Sequence, residues 1–291
     1  MFVGTQTSAG IFFKSFIYQW SMKKYKKIIL SIMLLAFLQS GLAHEFWLMP
    51  ARFRVKAGEK VNVKLLVGEN FRGEDWGKKR ERTLQVTHWG GKAKTDLTAQ
   101  ATQSDANDLM VEFKSPGTHL VAMQSKNSFI ELEGDKFDAY LKEDGIDNIL
   151  ALRTKNGQAN QKARELYQRC AKTLVQVGGK DDNTYQLVTG MPLEIVPLDN
   201  PYQLKAGDRL RVRVLFEGKP LADHSVRTWH KTGQPEGTTQ TGQLRTDANG
   251  EAALVLSAKG FWMVSLVRMV PNPQTSQSDY QSYWGSLTFE L

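Results

Sequence analysis

The sequence predicts a mainly β protein: two tandem β-sandwich modules, at about residues 44–127 and 190–291, joined by a helical insert over 128–189. Three observations carry this. Phe53-Arg-Val-Lys-Ala-Gly-Glu-Lys-Val-Asn-Val-Lys-Leu-Leu66 matches Tyr202-Gln-Leu-Lys-Ala-Gly-Asp-Arg-Leu-Arg-Val-Arg-Val-Leu215, a weak internal repeat of a first hairpin. Ser115-Pro-Gly-Thr-His-Leu-Val-Ala-Met123 matches Ala258-Lys-Gly-Phe-Trp-Met-Val-Ser-Leu266, a closing strand in each half. Turn residues recur between short alternating runs throughout both halves.

Taken in order, Val61, Val63 and Leu65 alternate with polar neighbours, and Leu210, Val212 and Val214 do the same. A period of two places each set on one face of a half-buried strand. Gly58 and Gly207 fall where the hairpin needs a positive φ, which costs glycine little. In the insert, Phe137, Tyr140, Leu141, Ile149 and Leu150 suggest a helix over 135–152. Ala163, Leu166, Tyr167, Cys170, Ala171, Leu174 and Val175 recur at spacings of three and four, which predicts a second helix over about 159–177, ended by Gly178-Gly179.

In the second module, Gly218-Lys-Pro-Leu-Ala222, Ser225-Val-Arg-Thr-Trp229, Leu244-Arg-Thr-Asp-Ala-Asn-Gly250 and Gly260-Phe-Trp-Met-Val264 follow one another as strand, turn and strand. This pattern resembles the seven-stranded, Ig-like sandwiches of the carboxypeptidase regulatory-like and transthyretin-like kind. Such a resemblance implies an adhesive or scaffolding module.

The start of the chain carries an address. Lys23, Lys24, Lys26 and Lys27 precede an apolar run from Ile28 to Leu38, and Gly41 and Ala43 stand at the −3 and −1 positions of a cleavage site. That order is the order of a secretory signal peptide, and a run of 11 residues is too short to span a bilayer, which needs about 20. The mature chain is then expected in the periplasm or otherwise exported, not spanning a membrane, and beginning at His44. Residues 1–21 precede Met22 and read as an upstream extension without a structural role. The formal charge is +8, but five lysines and no acid lie in residues 1–43, so only +3 belongs to residues 44–291. With no basic stripe interleaved with aromatics, nucleic acid is not an expected partner. One cysteine, Cys170, allows no intrachain disulfide.

Cleavage before His44 would place a free amine and an imidazole on one residue. Together they chelate a transition metal through the amine and Nδ1. The amine titrates near a pKa of about 7.7–8.0, so metal displaces its proton easily, and nitrogen ligands suit Ni, Co, Cu and Zn. His44 is therefore the candidate metal ligand. The remaining histidines, His88, His119, His224 and His230, show no metal-binding spacing, and His119 stands where the repeat has Trp262, which implies packing. The acids Glu131, Glu133, Asp135, Asp138, Glu143, Asp144 and Asp147 read as a solvated helix face and do not match a calcium loop. Cys170 reads as a core residue. No nucleophile elbow, phosphate loop, dinucleotide fingerprint or zinc-protease helix is present, so no catalytic residue is assigned and an enzyme is not expected.

Ala43-His-Glu-Phe-Trp-Leu-Met-Pro50, Ser128-Phe-Ile-Glu-Leu132, Lys136-Phe-x-Ala-Tyr-Leu141, Tyr167-x-Arg-Cys-Ala-Lys172, Gly190-x-Pro-Leu-Glu194, Asn200-Pro-Tyr202 and Trp284-x-Ser-Leu-Thr-Phe289 together resemble the DUF4198 family over nearly all of residues 44–291. The family consists of exported bacterial proteins often labelled as periplasmic components of cobalt or nickel uptake. The resemblance implies an accessory role in metal uptake with Ni, Co or Cu as the ion, and a membrane transporter component as partner. Some relatives carry His where this chain has Arg268. The competing expectation is a non-catalytic envelope module that contacts protein or glycan without metal. A third, a copper oxygenase built on His44, requires a second histidine facing it.

Overall fold

The computed structural model describes residue 1 and residues 45–76, 81–103, 109–232, 238–274 and 276–291. Residues 44–291 form one compact unit. In chain order its strands are β1 (Glu45–Pro50), β2 (Arg54–Val55), β3 (Glu59–Glu69), β4 (Arg72–Asp75), β5 (Thr83–Gly90), β6 (Ala93–Asp96), β7 (Leu109–Phe113), β8 (Gly117–Ser125), β9 (Ser128–Leu132), β10 (Ala163–Val177), β11 (Leu193–Pro197), β12 (Arg209–Phe216), β13 (Lys219–Pro220), β14 (Ser225–Lys231), β15 (Thr239–Arg245), β16 (Glu251–Val255), β17 (Phe261–Pro271) and β18 (Tyr280–Glu290). The α-helices are α1 (Thr98–Gln103), α2 (Gly134–Glu143) and α3 (Asp147–Lys155).

The fold is mainly β and built of sandwiches, and the two halves share one sheet. A ten-stranded sheet runs in the order β15-β14-β17-β18-β10-β8-β5-β6, with β2 and β9 also paired to β10. The sheet of β1, β3, β4 and β7 covers one side of its middle. There Phe46, Leu48, Val61, Val63, Leu65, Leu109 and Phe113 pack on Val86, Val121, Met123, Ala171 and Val175. The sheet of β11, β12, β13 and β16 covers the other side. Leu193, Ile195, Leu210, Val212 and Leu254 meet Leu120, Cys170, Leu174, Val264, Leu287 and Phe289. Adjacent residues of β8 and β10 thus serve different cores, as pleating requires.

This corrects the helix expected over 159–177. That stretch is β10, a strand of 15 residues. Both faces of its second half are covered, so apolar residues run on without alternation, and such a run resembles a helical face by spacing alone. Its branched residues Thr173, Val175 and Val177 suit a pleated surface. The α-helical part of the insert is confined to α2 and α3, which break at Asp144-Gly145, where Gly145 takes φ +67°, and a 3₁₀ turn follows at Thr184–Gln186. In the repeat, β3 and β12 bury the expected residues, and Gly58 and Gly207 take φ +87° and +97°. The arms before these turns diverge: β2 has two residues, and Pro201–Gln203 is a 3₁₀ turn.

His119 lies opposite Gly90 in the β5–β8 ladder, and a Cβ at Gly90 would come 2.2 Å from the imidazole. Gly90→Ala is therefore expected to destabilise the fold by about 1–3 kcal/mol, the range for overpacking. Urea denaturation measures it, and an unchanged midpoint would contradict the close packing.

Candidate functional site around Arg227

His44 lies outside the described residues, and the residue after it opens β1. Glu45 pairs with Gly68 and Trp47 with Leu66 in β3. Phe46 and Leu48 enter the core beneath β3, while Trp47 points the other way and packs with Phe71, Trp229 and Met263. By the same alternation Glu45 shares the side of Trp47. A strand buried on both faces thus carries a carboxylate inward at its first position.

Arg227 of β14 receives that carboxylate. Its Nη2 is 2.7 Å from Glu45 Oε1 and 2.8 Å from Asp144 Oδ1. The contact with Asp144 is a hydrogen bond, whereas Glu45 Oε1 is in ion-pair range without hydrogen-bond geometry. The guanidinium also lies 5.6 Å from the centre of the Trp229 ring. Asp144 caps the C-terminus of α2, its amide donating to Tyr140 O, and the Asp144 side chain is completely buried. Arg227 therefore faces two buried carboxylates, the buried Arg169 also acting on Glu45, and among the described residues Asp144 Oδ2 has no hydrogen-bond partner. Burial raises Glu45 to about 7 against the pull of Arg227, with Asp144 adding to the rise. Burial likewise raises Asp144 to about 6.

Beside this group opens a cleft of about 500 Å³, with residues 142–145 on one wall and Arg227, Trp229 and Gln243 on the other. A third acid lies deeper. Glu165 Oε1 accepts hydrogen bonds from Tyr140 Oη, at 3.1 Å, and from Ser282 Oγ. Trp284 Nε1 donates to Ser282 Oγ at 3.2 Å. Burial raises Glu165 to about 7, although both hydroxyls oppose the shift. Three carboxyls poised near neutrality in one region mark a functional-site candidate. Sequence spacing missed all three as a group. By sequence Asp144 belongs to a solvated helix face, but the acids of that run divide: Glu131 pairs with Lys162, Asp138 with Arg153, and Asp144 with Arg227.

The structure brings His88 and His119 together, which their spacing did not announce. His119 Nε2 donates to Ser115 O at 2.8 Å, so its Nδ1 accepts from His88 Nε2 at 2.8 Å; this network assigns the tautomers. Burial, then the neighbouring His119, lowers His88 to about 4. Both rings touch Phe113. The pair is a packed, neutral core element. His224 Nε2 donates to Val267 O, and His230 stacks on Trp262 with centroids 4.3 Å apart. Arg268 lies over Phe216. Burial pushes the Cys170 thiol up to about 12. Among the described residues, no group of three or more His, Cys, Asp or Glu is arranged to hold a metal ion, and no helix is long and apolar enough to cross a membrane.

A family model described as a domain of unknown function, DUF4198, matches residues 42–269. No curated protein matches the chain. Among solved structures, the D0–D1 domain of intimin is similar over 85% of this chain and 99% of its own, at 12% identity and a TM-score of 0.18. Salmonella alpha-2-macroglobulin reacted with methylamine is similar over 85% of this chain and 15% of its own, at 11% identity and a TM-score of 0.23. Three N-terminal domains of the highly immunogenic outer capsid protein of bacteriophage RB49 match over 84% and 59%, at 11% identity and 0.17. At such TM-scores none of these carries an argument about this chain.

Proposed function

The chain belongs to the DUF4198 family, and from that premise we propose that it is an exported, non-catalytic metal-binding accessory protein for uptake of a nickel- or cobalt-type ion, with copper as the chemical relative. Removal of residues 1–43 in a bacterial periplasm would free the amine of His44, and amine and Nδ1 would chelate the ion. A membrane transporter component would receive it.

One observation carries the reading. His44 is a single peptide bond from Glu45, whose carboxylate is buried beside Asp144 against the Arg227 guanidinium. A chelating residue at that position is tethered to a fixed strand, and the buried carboxylates lower the energy of an arriving cation. A free terminus would instead lose chain entropy on binding.

Processed protein, confirmed by mass to begin at His44, is titrated with Ni²⁺ beside His44→Ala and beside a variant with one extra residue before His44. Both variants are expected to lose about 100-fold in affinity or more. Equal, weak binding by all three would remove the metal reading and favour an envelope module that contacts protein or glycan.

A further inference from the structure

The cleft beside Arg227 is assembled from three separate segments: the β3–β4 turn at Asn70, the end of α2 with residues 144–145, and the β14–β15 pair. The turn is the strained one. Asn70 and Phe71 take φ +53° and +56°, as the tight hairpin between the paired Glu69 and Arg72 requires. Glycine is favoured at the second of these positions, and a bulky side chain there is an outlier. Packing holds Phe71 in place: its ring meets Trp47 edge-on, with centres 5.5 Å apart, in a cluster with Trp229 and Met263. Thr239 Oγ1, at the start of β15, donates to Asn70 O at 2.7 Å. A strained turn pinned at two points thus sets Asn70 on the cleft wall, and such strain gathers at binding sites.

The groups that this wall offers are uncharged and uncommitted. Among the described residues, the side-chain amide of Asn70 and the hydroxyl of Thr241 make no hydrogen bond, and both residues are exposed. Gln243 spends Nε2 on Ser225 Oγ, at 2.7 Å, and keeps Oε1. Trp229 gives its indole N–H to Ser265 Oγ at 2.9 Å, so its offering to the cleft is the ring. The charges on the walls balance. Arg227 is already engaged by Glu45 and Asp144, and Lys142 and Glu143 are exposed, where a charged contact is worth little in water. An anion therefore gains no uncommitted buried cation. An apolar ligand would strand the amides and the hydroxyl. A volume of about 500 Å³ lies in the range of small-ligand sites.

We infer that this cleft binds a neutral, hydroxyl-rich ligand, a mono- or disaccharide, through the side chains of Asn70, Thr241 and Gln243. Amide and hydroxyl groups both donate and accept, as sugar hydroxyls do, so each of the three can bond whichever way a sugar hydroxyl points. The three come from two elements fixed to each other by the Thr239–Asn70 bond, so little ordering is left for the ligand to bring about. The site is independent of the metal-binding reading, since none of its three ligand-bonding groups takes part in that chelate.

The test is a ¹H–¹⁵N NMR titration of the metal-free protein with maltose, cellobiose and N,N′-diacetylchitobiose, and with the zwitterion glycylglutamine as the contrasting probe. At least one of the three sugars is expected to shift the amide signals of Asn70, Gly145, Thr241 and Gly242, with a midpoint of about 1–10 mM. Asn70→Gly, which keeps the positive φ and removes the amide, and Gln243→Ala are each expected to weaken that binding about fivefold or more, with the thermal midpoint kept. Gln240→Ala, on the same strand but outside the cleft, should bind as the parent does. Three results overturn the inference: no shift with any of the sugars, sugar binding that both cleft variants retain, or shifts produced by the dipeptide alone, which would assign the cleft to a charged ligand.

Discussion

Lys172→Met is expected to destabilise the protein by about 3–5 kcal/mol, the cost of stranding one member of a buried ion pair. Lys172 of β10 and Glu194 of β11 form a salt bridge in which each side chain is 1% exposed. The ammonium also donates to Leu187 O at 3.2 Å. Glu194 accepts from Thr189 N, Thr189 Oγ1 and Gly190 N at 2.8, 2.9 and 2.7 Å. Burial alone would raise the Glu194 carboxyl, but Lys172 and the Thr189–Gly190 donors hold it below its ordinary value. Methionine matches the aliphatic stem of lysine, so the loss is electrostatic, and the three remaining hydrogen bonds keep an uncompensated charge in place. The double variant Lys172→Met/Glu194→Gln should recover part of the loss, because it removes the charge and keeps an acceptor. Urea denaturation of parent, single and double variants reads both effects. A single variant within about 1 kcal/mol of the parent would show that the pair holds nothing together.

The second large effect belongs to Arg227→Met, and it depends on pH. At pH 8 the variant leaves Glu45 and Asp144 charged in a buried site, and a loss of about 3–5 kcal/mol is expected. Both carboxyls already lie above their ordinary values of 4.5 and 3.8, at about 7 and about 6, and removal of the guanidinium raises them further. A carboxyl whose folded pKa is raised binds its proton more readily folded than unfolded. Its contribution to stability is therefore greatest below the unfolded pKa and declines as pH rises toward the folded one. The deficit of the variant should shrink from pH 8 to pH 5 and nearly close near pH 4. The histidines work the opposite way: burial lowers His88, His119 and His224, which favours the fold as pH rises. They are common to parent and variant, so the difference between the two proteins isolates the acids. A deficit that is flat between pH 4 and pH 8 would exclude the buried acid pair as its origin.

Much of the fold is legible where one face of a strand is buried. Val61, Val63 and Leu65, and their counterparts Leu210, Val212 and Val214, alternate in the sequence and are all buried in the structure. The Asp247-Ala-Asn-Gly250 turn is equally direct, with Asp247 Oδ1 accepting from the amides of Asn249 and Glu251. Legibility fails where both faces are covered, as in β10, because alternation is what distinguishes a strand. It fails again at the candidate site. Glu45, Asp144 and Arg227 are separated by about a hundred and by more than eighty positions, and one long-range packing of β1, α2 and β14 brings them together. Local sequence shows an acid beside a histidine and an acid at a helix end; it does not show that both share one guanidinium. Similarly, His88 and His119 become neighbours only through the register of β5 on β8.

The central sheet has a consequence for the order in which the chain assembles. β10 pairs in parallel with β18, Glu165 with Tyr280 through Thr173 with Thr288, so more than a hundred residues separate the partners. Closing so long a loop precedes any reward from the contacts it makes, and topologies of this kind fold slowly. β18 also bridges β10 to β17. Until residue 290 has been synthesised, β10 and β17 each keep an open edge, and neither four-stranded sheet has its complete partner. A chain crossing a membrane from its N-terminal end would thus remain unfinished, and threadable, almost to the last residue.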